Sequence, residues 1–574
     1  MRNIWKILKK YWVSLLVSPF LVLITVFSEV LQPWFMAQII DHGVMAGNVP
    51  LLARVGVTMV VISLVGMAVN MVNIHVSSRA STGFGADLRS ALFHRIQSLA
   101  FSDMDKFGPA SLVTRLTNDI TKIQQVALLS MRIMLRAPMM LVMALFFMVR
   151  INFDLAMILL FSIPFLAVGV WLILKKGLPF FLKVQQRIDT LNGIVRENLI
   201  NIRVVKSFVR EDFEMQKFKR HSEDLRDMTL RAANIVIAFF PLMLLIMNLS
   251  IVAILWLGGV KVMEGNLKVG ELISFVNYLT QVSISLMMLS IVIVTVTRAS
   301  ASSQRVIEVL NSEPSLKNTP EGDADIHRIE RGDVEFRNVC FRYAGGETDV
   351  LRHITFHVKA GETMAVVGAT GSAKSSLVQL IPRLYDVVEG EVLIDGVNVK
   401  AYHLDELHQK VGMVLQQGEL FSGTIFDNLC WGDRNATKEA VEAAARTAEA
   451  HDFIASFPQG YETVLGRGGV NISGGQKQRI CMARALLRRP KILILDDSMS
   501  AVDSETERKI RHNLKAWPDG MTLFIITQRI NTMQSADRIA VLDEGEIEAV
   551  GTPEEVMERS TLYREIYRSQ QFAQ

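Results

Sequence analysis

Six apolar stretches in the first 300 residues constrain the fold of this chain more than any other feature. Each is long enough to cross a hydrocarbon core about 30 Å thick, which takes about 17–25 helical residues. Charged residues are nearly absent from their centres, as the cost of placing charge in lipid requires. They predict a membrane domain of six transmembrane helices. The stretches lie near Trp12–Leu31, Val55–Ile74, Ile133–Val149, Leu155–Leu174, Ile235–Leu257 and Leu272–Val296.

Composition supports this interpretation and excludes other classes of protein. Of 574 residues, 50% are hydrophobic and 21% are charged, whereas soluble domains carry about 25% charged residues. A wholly soluble, disordered or fibrous chain is therefore excluded. The net charge of +4 is too small to indicate a nucleic-acid-binding surface, so no nucleic-acid partner is expected. Cys340, Cys430 and Cys481 are too dispersed for a disulfide framework or a zinc site.

The connections between the stretches alternate between short and long. The long ones follow the second and fourth stretches and are rich in Lys and Arg, as is the N-terminus with Lys6, Lys9 and Lys10. The positive-inside rule places the N-terminus, both long connections and the C-terminal half in the cytoplasm. Because the long connections keep helical periodicity, we expect the transmembrane helices to continue beyond the membrane.

A few polar residues interrupt the apolar stretches. Asn73 and Gln281 are examples, and such groups usually face the interior of a helix bundle or a cavity. Hydrogen bonding between helices and contact with a transported substrate are both open for them. Arg136 lies about one turn inside the third stretch, where we expect it to reach the cytoplasmic headgroups.

After Arg298 the chain changes character. A polar segment with Pro314, Pro320 and Gly322 is typical of a linker. Short β-like runs then alternate with helical ones, which predicts an α/β domain with a largely parallel sheet. Three such runs are Thr363–Val367, Lys491–Leu495 and Thr522–Ile526. The expected division is a transmembrane domain at 1–310, a linker at 311–333 and the α/β domain at 334–574.

A phosphate-binding loop follows the first of these strands. Residues 368–375 read G-A-T-G-S-A-K-S, nearly the P-loop pattern G-x-x-x-x-G-K-[ST] between a strand and a helix. Backbone N–H groups there cradle phosphate, Lys374 reaches the β- and γ-phosphates, and the Ser375 hydroxyl ligates Mg²⁺. Ala373 replaces a glycine, and its Cβ clashes if the backbone needs a positive φ. The predicted cradle for ATP comprises Gly368, Thr370, Gly371, Ser372, Ala373, Lys374, Ser375 and Ser376.

A second apolar strand ends in two carboxylates, Asp496 and Asp497. A carboxylate at a strand end about 120 residues after a P-loop fits a Walker B motif, in which Asp496 holds Mg²⁺ through a coordinated water.

The stretch Ser473-Gly474-Gly475-Gln476, placed between these two motifs, resembles the signature of ATP-binding cassette (ABC) proteins. Six preceding spans with two long cytoplasmic connections resemble the exporter half-transporters, and the resemblance covers nearly the whole chain. It implies a helical membrane domain of six transmembrane helices fused to an α/β P-loop NTPase. The stretches Ser111–Asp119 and Arg203–Phe208 resemble those that flank the coupling helices of such exporters.

The resemblance also implies roles for further residues. Tyr343 stands where an aromatic ring stacks on adenine, and Gln416 stands where a glutamine contacts Mg²⁺. Two cassettes of this family close head to tail, so that Ser473, Gly474, Gly475 and Gln476 serve the partner's ATP. The implied metal ligands are Ser375, Gln416 and Asp496.

Two catalytic positions depart from the family pattern. Asp497 replaces the glutamate that polarises the attacking water, and Gln528 replaces a histidine that stabilises the γ-phosphate. Together they resemble the degenerate subunit of bacterial heterodimeric multidrug exporters. This implies a plasma-membrane subunit that moves amphipathic drugs, lipids or peptides with a second half-transporter. A homodimeric exporter with tolerated substitutions and a non-transporting regulatory subunit are the alternatives.

Overall fold

The computed structural model describes residues 2–157, 178–317, 327–518 and 520–571, together with residues 164, 168 and 175. They divide into two compact units. The helical unit comprises Met1–Gln97 and Ala110–Ser312, and the sheet unit comprises Ser98–Pro109 and Glu313–Gln574.

Very long helices make up the helical unit. Single helices of 49 and 53 residues run from Val49 to Gln97 and from Glu211 to Met263, which confirms that the apolar stretches continue into long helices. At 1.5 Å per residue such helices are more than twice as long as a hydrocarbon core is thick. The helices of this unit are Arg2–Lys9, Trp12–Gln38, Val49–Gln97, Pro109–Thr114, Ile120–Leu129, Leu135–Ile151, Leu178–Ile200, Ile202–Ser207, Glu211–Met263 and Val269–Asn311. Short π-helical segments at Ile39–Val44, Arg115–Asp119 and Ser130–Met134 continue three of them.

Most of the predicted membrane spans coincide with helices. Four helical segments of the described residues are long and apolar enough to cross a membrane, at Trp12–Val44, Val49–Gln97, Pro109–Ile151 and Leu244–Met263. The sixth predicted span lies in the helix Val269–Asn311, which is not among those four. The fourth, Leu155–Leu174, falls almost entirely outside the described residues.

A buried apolar cluster joins the helices Trp12–Gln38, Leu135–Ile151 and Val269–Asn311. Val26, Val30, Ala144, Phe275 and Val282 are fully buried in it. Polar groups inside the bundle pair with one another, since lipid offers them no partners. The Tyr278 hydroxyl donates to the Val30 carbonyl at 2.8 Å, and the Ser18 hydroxyl donates to Asn73 Oδ1 at 2.7 Å. Asn73 therefore bonds between helices, one of the two roles left open by the sequence.

An ionic cluster fixes the stretch Ser111–Asp119 against the last long helix. Arg305 Nε donates to Asp119 Oδ2 at 2.8 Å, and only 1% of the Asp119 side chain is exposed. Arg115 Nη1 donates to the Arg305 carbonyl at 2.7 Å and to Glu308 Oε2 at 2.9 Å. Both buried charges are therefore satisfied by a helix nearly 200 residues away in sequence.

The sheet unit contains a six-stranded sheet, a four-stranded antiparallel sheet and a two-stranded ribbon. The strands are β1 (Val334–Phe341), β2 (Leu351–Val358), β3 (Thr363–Val367), β4 (Glu389–Ile394), β5 (Val397–Asn398), β6 (Val411–Val414), β7 (Gly423–Thr424), β8 (Val464–Leu465), β9 (Ile492–Asp496), β10 (Thr522–Ile526), β11 (Arg538–Asp543) and β12 (Glu546–Gly551). The helices are Phe101–Phe107, Lys374–Gln379, Leu404–Lys410, Ile425–Cys430, Lys438–Thr447, His451–Ser456, Gly474–Leu486, Ser504–Lys515, Ile530–Gln534, Pro553–Arg559 and Thr561–Gln571.

The six-stranded sheet has the order β12-β11-β3-β10-β9-β6, and all its pairs except β11–β12 are parallel. Every residue of β3, β9 and β10 is buried. Strands covered on both faces must be apolar throughout, which is why these runs lack alternation in the sequence. The prediction of a largely parallel sheet is confirmed, and the three predicted strands match within one residue at each end.

We expect Arg305→Gln to lower the free energy of unfolding of the helical unit by about 2–3 kcal/mol, because it leaves the Asp119 carboxylate buried without its partner. The measurement is denaturant unfolding of the full chain in detergent. Arg226→Gln is the matched control, since Arg226 is exposed and pairs with the exposed Asp227. The double variant Asp119→Asn, Arg305→Gln should lose less than Arg305→Gln alone, and an equal loss would contradict this account.

Candidate active site

The parallel strands bring the predicted site residues to one edge of the sheet. β3 ends at Val367 and leads into the loop 368–373, and its neighbour β10 ends at Ile526, two residues before Gln528. β9 ends at Asp496 on the other side of β10, and β6 ends two residues before Gln416. Because the carboxyl ends of parallel strands meet at one edge, segments separated by up to 160 residues converge there.

The P-loop and the second carboxylate strand are in direct contact. The Ser375 hydroxyl donates to Asp496 Oδ1 at 2.9 Å, and Asp496 is only 4% exposed. A hydroxyl and a carboxylate at this separation form an all-oxygen set of the kind that Mg²⁺ binds, partly through water. The residues present therefore fit the predicted metal. Bound Mg²⁺ would supply positive charge beside the phosphates.

The phosphate loop keeps its backbone close to neighbouring strands. A Cβ on Gly368 would lie 2.1 Å from the Leu542 carbonyl oxygen, so no larger residue fits at this position. The Lys374 ammonium donates to the carbonyls of Gly368 at 2.9 Å and Ala369 at 2.6 Å. The cation thus lies against the loop where the predicted phosphates would sit.

Burial sets the charge balance of this edge. It raises the pKa of Asp496 and the pKa of Asp497 above the ordinary range of a carboxyl. Burial also lowers the pKa of Lys374, against the opposing effect of both carboxylates. Each charged form is penalised by desolvation, so a cation beside the carboxylates and an anion beside the lysine would both be favoured.

Ala373 occupies a left-handed backbone conformation, with φ 69° and ψ 22°. Glycine adopts this conformation freely, whereas a Cβ makes it unfavourable by roughly 1–2 kcal/mol. The sequence analysis expected strain at Ala373 if the backbone needed a positive φ, and the structure has a positive φ there. The backbone follows the path that the P-loop pattern assigns to glycine, and the alanine bears the conformational cost.

Tyr343 lies beside the helix that follows the P-loop. Its hydroxyl is 2.8 Å from Ser376 Oγ, and its ring packs edge-on against Phe341 and Tyr385 with centroids 4.8 and 5.2 Å away. The aromatic group predicted to meet adenine is thus positioned next to the cradle, while stacking itself remains a prediction.

Asp497 and Gln528 line the same cavity of about 260 Å³. Gln416 Nε2 donates to Asp497 Oδ2 at 3.4 Å, and Asp497 has a left-handed backbone with φ 47°. The structure therefore groups both departing residues with the glutamine predicted to contact Mg²⁺. The side chain of Asp497 is one methylene shorter than that of the glutamate it replaces.

The stretch Ser473–Gln476 begins the helix Gly474–Leu486. Ser473 N–H donates to Gln476 Oε1 at 3.0 Å, and Gln476 N–H donates to Ser473 Oγ at 3.3 Å. This reciprocal cap follows from the S-x-x-Q spacing, a signal that the sequence reading did not use. Ser473 and Gly474 are exposed, and among the described residues no hydrogen bond joins this stretch to the P-loop.

Comparisons with known proteins agree with this geometry. The family model of the ABC transporter transmembrane region matches residues 15–286, and that of the ABC transporter matches residues 351–500. An uncharacterized ABC transporter ATP-binding protein of Bacillus subtilis, YfiB, is 38% identical over 99% of this chain and 98% of its own length. The chain belongs to the ABC transporter family.

Other similar proteins of the family include a flippase and an exporter. An ATP-dependent lipid A-core flippase of Syntrophus aciditrophicus is 33% identical over 84% of this chain and 80% of its own length. The solved structure of a bacterial Atm1-family ABC exporter with ATP bound matches with a TM-score of 0.84 at 25% identity, over 97% of this chain and 99% of that one. This ABC transporter is thus a multi-pass membrane protein of the ATP-driven exporter type, with a helical membrane domain fused to a cassette.

The sequence reading of this ABC transporter missed Arg529 and Glu507. Arg529 follows Gln528, and its Nη2 donates to the Ser500 carbonyl at 2.8 Å. Arg529 Nη1 donates to the buried carboxylate of Glu507, which also accepts a hydrogen bond from the Thr532 hydroxyl. The bond to Ser500 anchors the Gln528 segment to the loop after β9, and the pair with Glu507 anchors it to the helix Ser504–Lys515. An acidic residue on the apolar face of the helix Ser504–Lys515 was the only signal available in the sequence.

We expect Ala373→Gly to stabilise the nucleotide-free chain by about 0.5–1 kcal/mol. Relief of the left-handed strain exceeds the entropy that glycine adds to the unfolded state. Ala369→Gly, in the same loop but without a positive φ, is the matched control and should destabilise the chain. Thermal unfolding of the full chain in detergent compares the two. Equal effects of both variants would show that no strain resides at Ala373.

We expect Asp497→Asn to stabilise the nucleotide-free chain at pH 7.5. Because burial raises the pKa of Asp497, the folded state binds the proton more tightly than the unfolded state. Ionisation therefore lowers stability as the pH rises through the raised value. The gain from asparagine should shrink as the pH falls toward 3.8, the ordinary value for this carboxyl.

Unfolding temperatures of the full chain, measured in chelator across that pH range, test this expectation. Asp224→Asn is the control, because Asp224 lies exposed on the helix Glu211–Met263. A gain from Asp497→Asn that does not change with pH would contradict the electrostatic cause.

Proposed function

We propose that this chain is one subunit of a heterodimeric ABC exporter that moves amphipathic drugs, lipids or peptides out of a bacterial cell. Its own ATP site hydrolyses slowly or not at all, and its Ser473–Gln476 stretch completes the hydrolytic site of the partner. The protein lies in the bacterial plasma membrane with the N-terminus and the cassette in the cytoplasm. The transmembrane domain comprises 1–310, the linker 311–333 and the cassette 334–574.

The observation that carries this proposal is the grouping of three departures at one strand edge. Ala373 holds a strained P-loop conformation, and Asp497 and Gln528 line one cavity. The shorter reach of Asp497 displaces its oxygens by roughly 1 Å, and a misplacement of that size costs about 10²-fold in rate. Gln528 can donate a hydrogen bond but cannot become a cation as histidine can. Three losses at one site favour a division of labour between two unequal sites.

The chain retains the parts that bind ATP and Mg²⁺. Lys374, Ser375 and Asp496 are in place, and the aromatic ring of Tyr343 stands beside the cradle. Tyr343, the loop 368–376 and Gln416 would hold the nucleotide and its metal, with Asp496 acting through a water. Binding without rapid hydrolysis is thus the role that these residues support.

A second half-transporter is supported by an exposed apolar segment between two long helices of the helical unit. Ile200, Phe208 and Val209 are 73%, 72% and 80% exposed in the single chain. They flank the short helix Ile202–Ser207, in the stretch that resembles the coupling segment reaching a partner's cassette. Apolar groups exposed to this extent mark an interaction surface.

An amphipathic cargo is supported by two features. The 33% identical relative is a lipid A-core flippase, and the membrane-spanning part of this chain contains paired polar groups that could receive a polar headgroup. Cargo size and chemistry then depend on the cavity that two such halves would enclose.

The test is Mg-ATPase activity of the purified chain in lipid, measured alone and after mixing with a candidate partner half-transporter. We expect turnover of the chain alone to be about 100-fold below that of the mixture. Vigorous turnover by the chain alone would instead support the homodimeric exporter. Nucleotide-dependent conformational change with no vectorial transport in vesicles would support the regulatory alternative.

Two matched variants distinguish a heterodimer from a homodimer. In the mixture, Ser473→Ala should abolish most turnover, because it removes the signature hydroxyl from the partner's site. Lys374→Ala should reduce turnover several-fold less than Ser473→Ala does, because it affects only the slow site. In a homodimer both variants would disable every site equally.

A further inference from the structure

A charged pair joins two helices of the helical unit that contain predicted spans. Arg136 Nη2 donates to Glu29 Oε1 at 2.7 Å and to Glu29 Oε2 at 2.8 Å. Both residues lie in helical segments that are long and apolar enough to cross a membrane, Trp12–Val44 and Pro109–Ile151. The sequence led us to expect that Arg136 reaches the cytoplasmic headgroups, and in the structure its guanidinium pairs with Glu29. The pair joins two helices, and its glutamate was not singled out from the sequence.

The pair is only partly covered. The Arg136 and Glu29 side chains are 36% and 33% exposed, whereas their neighbours Val26, Val30 and Ala137 are almost fully buried. Exposing charge to lipid costs several kcal/mol. The open side of the pair must therefore face water or a polar ligand, since hydrocarbon cannot solvate it.

Gln281 adds an unused acceptor beside this pair. Pro33 lacks the N–H that would bond to the Glu29 carbonyl within the helix, and Gln281 Nε2 donates to that carbonyl instead, at 3.4 Å. With its amide nitrogen so engaged, Gln281 Oε1 is buried and has no hydrogen-bond partner among the described residues. A buried acceptor without a donor is costly, so a donor supplied by a ligand would be favoured.

We propose that Glu29, Arg136 and Gln281 form a binding site for a zwitterionic headgroup, one that carries an ammonium and a phosphate or carboxylate. This inference rests on the proposed export function and names the class of its cargo. The Glu29 carboxylate and Gln281 Oε1 accept from the ammonium. The N–H groups of Arg136 that Glu29 does not use donate to the anionic group.

Charge balance makes the site selective. The Glu29–Arg136 pair is neutral as a whole, so a zwitterion matches both its ends and adds no net charge to the membrane interior. A headgroup with a single charge would compete for one member of the pair and leave the other unpaired, which is unfavourable in a region of low dielectric.

The experiment measures binding of three tail-labelled fluorescent lipids to the full chain in nanodiscs without nucleotide. The lipids share their acyl chains and differ in headgroup: phosphatidylethanolamine is zwitterionic, phosphatidylglycerol is anionic and a diacyl trimethylammonium propane is cationic. We expect the first to bind about tenfold more tightly than the other two. Equal binding of all three, or no binding, would overturn the proposal.

Variants assign the selection to the named residues. Glu29→Gln with Arg136→Gln keeps the side-chain lengths close and removes both charges, so it should abolish the tenfold preference while the unfolding temperature stays near that of the parent. Gln281→Leu should reduce the preference several-fold. The control is Asp154→Asn, which breaks the pair with Lys261 elsewhere in the unit and should leave the preference intact. A preference that survives the double substitution would show that the pair is only structural.

The two proposals fail in distinguishable ways. Lipid binding is measured without ATP or a partner half-transporter, so it does not depend on turnover. Loss of headgroup preference with normal ATPase activity in the mixture would refute the headgroup site alone. Headgroup preference with no turnover in any mixture would refute the heterodimeric exporter alone.

Discussion

The hydrogen bond between Ser375 and Asp496 depends on almost everything else in the sheet unit. It joins two residues 121 positions apart at 2.9 Å. This contact exists because β3 and β9 both lie parallel to β10, in a register that aligns Val366 and Asp496 with Ile526. Burial of these apolar strands on both faces fixes that register, since a slip of one residue would reverse which side chains face each layer. The packing of the core thus sets the geometry of the metal-binding oxygens.

The same sheet unit includes a segment from the middle of the helical half of the chain. Ser98–Pro109 clusters with the sheet, and the Tyr385 hydroxyl donates to Asp105 Oδ2 at 2.8 Å. Tyr385 also packs edge-on against Tyr343, and burial raises the pKa of Tyr385, so its phenol stays protonated. These contacts therefore connect the predicted adenine position with the helix Phe101–Phe107, which follows the long helix Val49–Gln97 in sequence. A change at the nucleotide can reach that helix only through contacts that differ between two states.

Features that depend on residue spacing and periodicity over a short stretch could be predicted from the sequence. The P-loop, the strand ending at Asp496 and the long apolar helices follow from spacing and periodicity, and β3 and β10 matched residue for residue. Pairings between distant segments could not be predicted in this way. Glu29 and Arg136 are 107 residues apart, and a lone glutamate within an apolar stretch gives no indication of its partner. The backbone conformation of Ala373 was anticipated only as a condition, because its φ of 69° depends on how the whole loop packs in the folded chain.

The magnitudes of the departures indicate which property of the ATP site they affect most. Strain of roughly 1–2 kcal/mol at Ala373 corresponds to a factor of about 5–30 in an equilibrium. Only the part of this strain that differs between the empty and the occupied loop would affect ATP affinity. Under the proposed function, the shorter reach of Asp497 acts on the attacking water and costs about 10²-fold in rate, and the loss of a cation at Gln528 adds to it. Hydrolysis at this site would then be impaired more than binding. A site with this balance would retain ATP through several turnovers of its partner and hold the two cassettes together while the other site resets.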